Sequence, residues 1–342
     1  MDDCDCMKLK MIFNRIVKFV LELFLIASAI AIFVLIIAVT WNAYTAPSSQ
    51  TWGATFSIPY AEYLGLDWKK VFTESMDDLG IRLFRIPVYW NIVERQQGVY
   101  DWTAYDWIVD EAEKRNASLV FVIGNRVPRW PECHPPQWAQ RLSAKKRNQA
   151  IEALLRETVS HFKGRTVIVR WQVENEPFLQ SFGECPPLDE EFLKKEVELV
   201  RTIDPSRKVQ ITESGELSSW LRGAQMGDVL GISMYRTVYN SLVGFGEYPF
   251  GGMFYKNKAQ YVKNLVDDVV ISELQAEPWG PDAERDQPII MTPEQMKKVI
   301  LIAQKTGFRE VYFWGLEWWY MMKEKKGNSN YWDIARDAVK GR

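Results

Sequence analysis

Two carboxylate-bearing segments of this chain could do chemistry together. Trp171-Gln172-Val173-Glu174-Asn175-Glu176-Pro177 closes an apolar run that starts at Val167. Ile271-Ser272-Glu273-Leu274-Gln275-Ala276-Glu277-Pro278-Trp279 continues another that starts at Asp268. A short apolar run ending in ionisable groups is how a parallel α/β barrel presents chemistry, at the carboxyl end of a buried strand. Two carboxyls in one cleft can divide the work, one as proton donor and acceptor, the other as nucleophile. A third segment, Arg85-Ile86-Pro87, places a guanidinium on another strand. A buried guanidinium without an anion is costly, so a carboxylate partner is expected, and Glu273 is the candidate.

Such residues meet only if their strands lie in one sheet. Beyond Thr51 the chain alternates apolar β-like runs with amphipathic helical stretches, the pattern of βα units and a parallel sheet. Strands are expected at 52–56, 81–86 (cut off by Pro87), 119–123, 167–173, 208–212, 228–233, 268–272 and 311–314. Helices are expected at about 67–79, stopped by Gly80, and at about 144–162, followed by Gly164. A last helix opens at Thr292-Pro293-Glu294-Gln295 with a capping box and ends at Gly307. Eight strands alternating with helices is the count for a closed (β/α)8 barrel. No Gly-rich nucleotide loop follows strand one, which argues against the open doubly wound sheet.

Residues 51–342, about 290 in number, suit one such barrel of about 250 residues with loop insertions. The near-neutral charge gives no reason to expect nucleic acid as a partner. Only two His, at 134 and 161, set against fifteen Trp and fourteen Tyr, argue against a catalytic metal, and no cofactor is expected.

The N-terminus reads differently. Residues 19–41 are almost continuously apolar, with Lys8, Lys10, Arg15 and Lys18 before them and no charge in the residues just after. This predicts a transmembrane signal anchor with residues 1–18 as a cytoplasmic tail, 42–50 as a linker and the barrel outside. A cleaved signal peptide with a secreted barrel is the alternative. Cys4 and Cys6 fall on the inner side, as free thiols or lipidation sites. Outside, only Cys133 and Cys185 remain, in loops after neighbouring strands. They are read either as a disulfide in an oxidising exterior or as two separate buried thiols.

The Asn-Glu-Pro triplet on strand four and the Glu on strand seven resemble the large (β/α)8-barrel clan of retaining glycoside hydrolases. Within it the cellulase-like family 5 and the galactosidase-like families 42 and 39 are the nearest in feel. The resemblance implies that Glu176 is the acid/base and Glu273 the nucleophile of a retaining β-glycosidase, with a raised pKa on Glu176 supplied by the charge of Glu273. It further implies that Arg85 holds the nucleophile ionised and that Asn175 contacts a sugar 2-hydroxyl. Tyr235 would donate to the nucleophile, and Trp314 would form the floor under the cleaved sugar. Core packing is the plain alternative for Tyr235 and Trp314.

Thr212-Glu213-Ser214-Gly215 imitates a nucleophile motif but lies on strand five, so Glu213 and Glu216 are read as cleft or surface residues. Glu277 is read as a loop or subsite residue. Tyr89, Trp90, Trp130, Trp138, Trp279, Trp318 and Trp319 fall in loops at the same face, where aromatic platforms would suit the apolar faces of sugar rings. His134 is read as a substrate contact or a structural hydrogen bond, and residues 236–258 as a cleft wall or lid. A β-linked glucan, mannan, xylan or galactoside, cut from the end or internally, fits these motifs equally well. The same site could run transglycosylation, and a non-catalytic carbohydrate-binding barrel is the alternative of another class.

Overall fold

A computed structural model describes residues 3–42, 50–240, 242, 244–280 and 289–341. The chain divides into two units, Met1–Ala46 and Pro47–Arg342.

The first unit is a single helix, α1 (Asp3–Asn42). Its segment Arg15–Val34 is long and apolar enough to cross a membrane. Twenty residues at 1.5 Å each span about 30 Å, the thickness of a hydrocarbon core. Apolar side chains from Ile16 to Val34 are exposed around the helix, as expected when lipid rather than a protein core is to cover them. A signal sequence passes the same test. Residues 43–49 of the expected linker, and the side chains of Cys4 and Cys6, lie outside the described residues.

The second unit is a closed barrel. Its strands are β1 (Thr51–Thr55), β2 (Leu83–Pro87), β3 (Ser118–Ile123), β4 (Ile168–Val173), β5 (Lys208–Ser214), β6 (Val229–Met234), β9 (Asp268–Gln275) and β10 (Glu310–Trp314). They are hydrogen-bonded in the order β1-β10-β9-β6-β5-β4-β3-β2, every pair parallel. Two short strands, β7 (Thr237–Asn240) and β8 (Gly244–Glu247), form an antiparallel hairpin after β6. β9 and β10 are therefore the seventh and eighth barrel strands. Around the barrel lie α2 (Ile58–Tyr63), α3 (Trp68–Asp77), α4 (Trp90–Val93), α5 (Thr103–Lys114), α6 (Ala144–Phe162), α7 (Glu190–Ile203), α8 (Leu221–Met226), α9 (Gly252–Ala259), α10 (Pro293–Thr306), α11 (Leu316–Lys326) and α12 (Asn330–Lys340).

Local chemistry fixes several boundaries. Asp67 accepts the Lys69 and Lys70 amides to start α3, and Thr292 accepts the Gln295 amide to start α10. Gly307, at φ +74°, ends α10. Three expectations are corrected. β2 includes Pro87 as its last residue, β9 runs on to Gln275, and α10 is followed by two more helices. α11 escapes a periodicity reading because Leu316 to Tyr320 are all buried, so no 3.6-residue stripe separates an inner from an outer face.

The principal apolar core fills the space between strands and helices. Inside the barrel a small apolar layer of Leu83, Val120, Val229, Val270 and Tyr312 lies among side chains that become polar towards the carboxyl ends. Crowding there is high. A Cβ on Gly231 would stand 2.8 Å from Gln210 Nε2 and 2.9 Å from Ser272 Oγ. β9 carries a bulge: Ile232 pairs with Ile271 but Ser233 with Glu273, and Val311 pairs with Ile271 but Phe313 with Leu274. The extra residue turns both Ser272 and Glu273 inward, which strict alternation would forbid.

Candidate active site

Glu176 and Glu273 both come to the carboxyl-end mouth of the barrel, and Arg85 links their two strands. Its guanidinium is fully buried and donates Nη1 to Glu273 Oε1 at 2.8 Å, Nη2 to Asn175 Oδ1 at 2.6 Å and Nε to Gln172 Oε1 at 2.7 Å. A longer contact of 3.4 Å joins Nη1 to Thr55 Oγ1. The buried arginine thus has the anion that its desolvation requires, together with neutral acceptors on β1 and β4. Tyr235 donates its hydroxyl to the other oxygen of Glu273 at 3.1 Å.

Glu176 reaches the same space through an unusual backbone. Glu174 and Glu176 have φ of +56° and +40°, values that non-glycine residues adopt at a cost of order 1–3 kcal/mol each. These turns send Glu174 one way and Asn175 and Glu176 the other. Glu174 accepts the amides of Asn125 and Arg126 at 2.7 Å each, which ties the loop after β3 to the end of β4. A Cβ on Gly124 would collide with that carboxylate, 2.2 Å from Oε1. Glu176 accepts the Ser233 hydroxyl at 2.6 Å, and its amide donates to Thr212 Oγ1 at 2.8 Å. Burial, and after it the charge of Glu273, push its carboxyl up to about 7. The rise thus owes more to desolvation than to the Glu273 charge expected to supply it.

Glu132 is a third carboxyl at the mouth and was not singled out from sequence. It accepts Asn175 Nδ2 at 2.9 Å and lies 3.9 Å from Arg126 Nε. Burial and the charges of Glu273 and Glu176 push it up to about 8. Asn175, expected to face a sugar hydroxyl, spends one N–H on Glu132 and its oxygen on Arg85. The positive φ of Glu132, +72°, belongs to a loop conformation that no residue spacing announces.

Trp314, expected as the floor under the cleaved sugar, packs against a guanidinium. The guanidinium of Arg129 lies 4.0 Å from its ring centre and 3.7 Å from that of Tyr60 on the other side. Arg129 is paired through Nη1 with Glu277 and through Nη2 with Glu317 at 3.1 Å. Glu277 is therefore a buried ion-pair partner, and burial pushes Glu317 up to about 7.

His134 packs edge-on to Tyr89 and bonds the carbonyl of Arg129 through Nε2 at 3.0 Å. It supports the Arg129 loop, the structural side of its two readings. Cys133 and Cys185 are joined, Cα to Cα 5.3 Å, and link the loops after β3 and β4.

The loop aromatics separate into two groups. Trp90, Trp318 and Trp319 are core, as is Tyr89, so the expectation that they form platforms is corrected. Trp138 is partly buried and packs edge-on to Trp90. Trp130 is 60% exposed and Trp279 half-buried; Phe182, between them, lies 5.7 Å and 6.4 Å from their rings. The hairpin β7–β8 is pinned to the end of β9, where Gln275 accepts the amides of Arg236 and Thr237 at 2.8 and 2.9 Å.

Glu213 is neither a cleft nor a surface residue. It faces away from the barrel interior and accepts the amides of Trp220 and Gly223 at the start of α8. Its neighbour Thr212 is the inward residue of that pair. Glu216 is partly buried against the Tyr255 hydroxyl, 2.5 Å away.

No protein-family model matches the chain, and no curated protein matches it. Solved structures do. A psychrophilic glycoside hydrolase family 10 endo-β-1,4-xylanase aligns over 86% of this chain and 97% of its own, with 17% identity and a TM-score of 0.54. The fold is one that glycoside hydrolases share. A GH5_18 protein from Streptomyces cattleya, in complex with GlcNAc, aligns over 79% of this chain and 71% of its own, with 13% identity and a TM-score of 0.55. The exo-β-1,4-mannosidase Op5Man5 from Opitutaceae bacterium strain TAV5 aligns over 86% of this chain and 60% of its own, with 14% identity and a TM-score of 0.59.

Proposed function

We propose that this chain is a retaining β-glycosidase with Glu176 as acid/base and Glu273 as nucleophile. The arrangement around Arg85 carries the reading: one buried guanidinium bonds the carboxylate from the seventh barrel strand and the amide beside Glu176 from the fourth. The two carboxyls are differently placed. Glu176 is desolvated and pushed up to about 7, which suits a proton donor near neutrality. Glu273 receives Arg85 on one oxygen and Tyr235 on the other, which fixes its orientation.

In the first step Glu176 gives its proton to the glycosidic oxygen as the bond from that oxygen to the anomeric carbon breaks. A Glu273 oxygen forms the new bond to that carbon, and the aglycone leaves as an alcohol. In the second step Glu176, now a carboxylate, takes a proton from water. The water oxygen bonds to the anomeric carbon, the ester to Glu273 breaks, and both groups return to their starting states. The likeness to xylanase, mannosidase and other glycoside hydrolase structures supports a β-linked oligo- or polysaccharide as substrate.

We further read Arg15–Val34 as a membrane anchor with the barrel outside, where an oxidising medium suits the Cys133–Cys185 bond. Membrane fractionation with protease protection tests this part. The chemistry is tested by wild type, Glu176→Gln and Glu273→Gln on a panel of aryl β-glycosides. Release of aglycone by wild type, with losses of a thousandfold or more in both variants (roughly the scale of removing a central catalytic group), is expected. Glycan binding with no release from any glycoside would instead mean a binding barrel.

A further inference from the structure

Asn175 links the two proposed catalytic carboxyls. It directly precedes Glu176 in the chain, and its oxygen accepts the arginine that holds Glu273. The loop after β3 clamps it from three directions. Its amide donates to the Arg126 carbonyl at 2.7 Å, its carbonyl accepts Arg126 Nε at 2.7 Å, and its Nδ2 donates to Glu132 Oε2 at 2.9 Å. Asn175 is 1% exposed, and Glu132 is the one acceptor that Nδ2 has among the described residues. A buried amide nitrogen without an acceptor is costly, so Glu132 fixes the nitrogen end of this side chain as Arg85 fixes its oxygen end.

Glu132 is itself firmly presented. Its amide donates to Arg129 O at 2.7 Å, and its carbonyl accepts the Val127 amide at 2.8 Å. The next residue, Cys133, is bonded to Cys185 and forms a β-bridge with Arg126. From the loop after β4, Gly183 packs so closely that a Cβ there would stand 2.9 Å from the Glu132 Cβ. The carboxyl therefore has little room to withdraw. Burial pushes it up to about 8, so near neutrality it is an uncharged acid that still accepts through Oε2.

We propose that Glu132 is a positioning residue: as the acceptor for Asn175 Nδ2 it holds that amide on Arg85, and so keeps Glu176 and Glu273 in working geometry. This role presupposes the glycosidase reading and adds to it a residue that acts through Asn175. Reach rather than charge is what it requires, and two conservative variants separate them. Glu132→Gln keeps the length and an acceptor oxygen without a charge, whereas Glu132→Asp keeps the carboxyl but is one methylene short. Both are made in the full chain and assayed on an aryl β-glycoside that wild type cleaves. Asn175→Ala and the double variant Glu132→Asp/Asn175→Ala are assayed beside them, and urea midpoints report folding.

Glu132→Gln is expected to keep kcat within about threefold, since a neutral acceptor serves. Glu132→Asp is expected to lower kcat by roughly ten- to a hundredfold with little change in KM, the scale of a misplacement of about 1 Å. In the Asn175→Ala background the same Asp change is expected to cost no more than about twofold, because the residue it acts through is gone. A Gln variant slower than the Asp variant would make charge or a proton the role of Glu132 and overturn the proposal. Wild-type kcat in both variants would do the same, as would an Asp loss of equal size with and without Asn175. Should Glu132→Asp fail to fold, Glu132→Gln decides: kcat within about threefold supports the role, and a loss of about tenfold or more overturns it. All these outcomes leave the glycosidase reading standing. Failure of wild type to cleave any aryl glycoside sinks both.

Discussion

Removing the positive charge from Arg85 gives the sharpest energetic prediction. Arg85→Met deletes a fully buried guanidinium and leaves Glu273, itself 5% exposed, as an anion without a cation, with the Gln172 and Asn175 oxygens each short of one donor. Breaking a buried pair from one side costs about 3–5 kcal/mol, most of it the desolvated charge left behind. For a domain of this size that corresponds to a fall in Tm of roughly 6–10 °C, taking about 2 °C per kcal/mol. Glu273→Gln strands the guanidinium in the same way. The double variant Arg85→Met/Glu273→Gln removes both charges, so its cost falls short of the sum by about 2 kcal/mol or more, within the range for residues sharing one network. Urea unfolding of the four proteins gives the cycle, with calorimetric Tm as a parallel measure where unfolding is not reversible. Single-variant losses that add within about 0.5 kcal/mol, as distant sites do, would mean that Arg85 and Glu273 are not coupled, and the arrangement that carries the proposed function would fall.

The remaining predictions concern single groups. Glu176 must be protonated to act, and its pKa is raised; kcat/KM is therefore present at acid pH and lost as pH rises through about 7. In Glu273→Gln the Glu176 carboxyl titrates lower but stays above 4.5, because burial outweighs the Glu273 charge; carbon-13 NMR of labelled glutamates reads both values, a fall to the ordinary 4.5 would contradict the ordering of causes, and an unchanged value would remove Glu273 as a cause. Glu213→Gln leaves kcat within a few fold while lowering stability by about 1–3 kcal/mol, since it weakens the acceptor for two buried amides; a thousandfold loss of kcat at full substrate binding would reopen it as a nucleophile. Replacing Cys133 and Cys185 by Ser lowers stability by about 2–4 kcal/mol, the scale for a link across 52 residues, and an unchanged midpoint in denaturant would show the loops need no tie.

The parts of the fold that obey a period were legible in the sequence, and so were the residues those parts carry. Glu176, Glu273, Arg85 and Tyr235 follow from counting strands, because each sits at or just past the end of an apolar run. Even there the inward turn of Glu273 depends on the bulge at Ser272, which no alternation pattern contains. Loop geometry was not legible. Glu132 and Arg129 enter the site through left-handed backbone in the loop after β3, and their partners lie on strands far away in sequence. Serine and threonine carry no such signal, so the roles of Ser233 and Thr212, which fix Glu176, are not legible in the sequence. The aromatic count misled for a physical reason: Trp90 and Trp319 lie on the helices α4 and α11 that follow β2 and β10 and are buried there, while Trp130, in a loop, is exposed.

Trapping the covalent intermediate tests the central claim most directly. A 2-deoxy-2-fluoro β-glycoside with an activated leaving group slows the second step and leaves the sugar on the nucleophile. Peptide mapping by mass spectrometry is predicted to find the sugar on Glu273, and Glu273→Gln is predicted to remain unlabelled. A label on Glu213 or Glu277 would contradict the assignment.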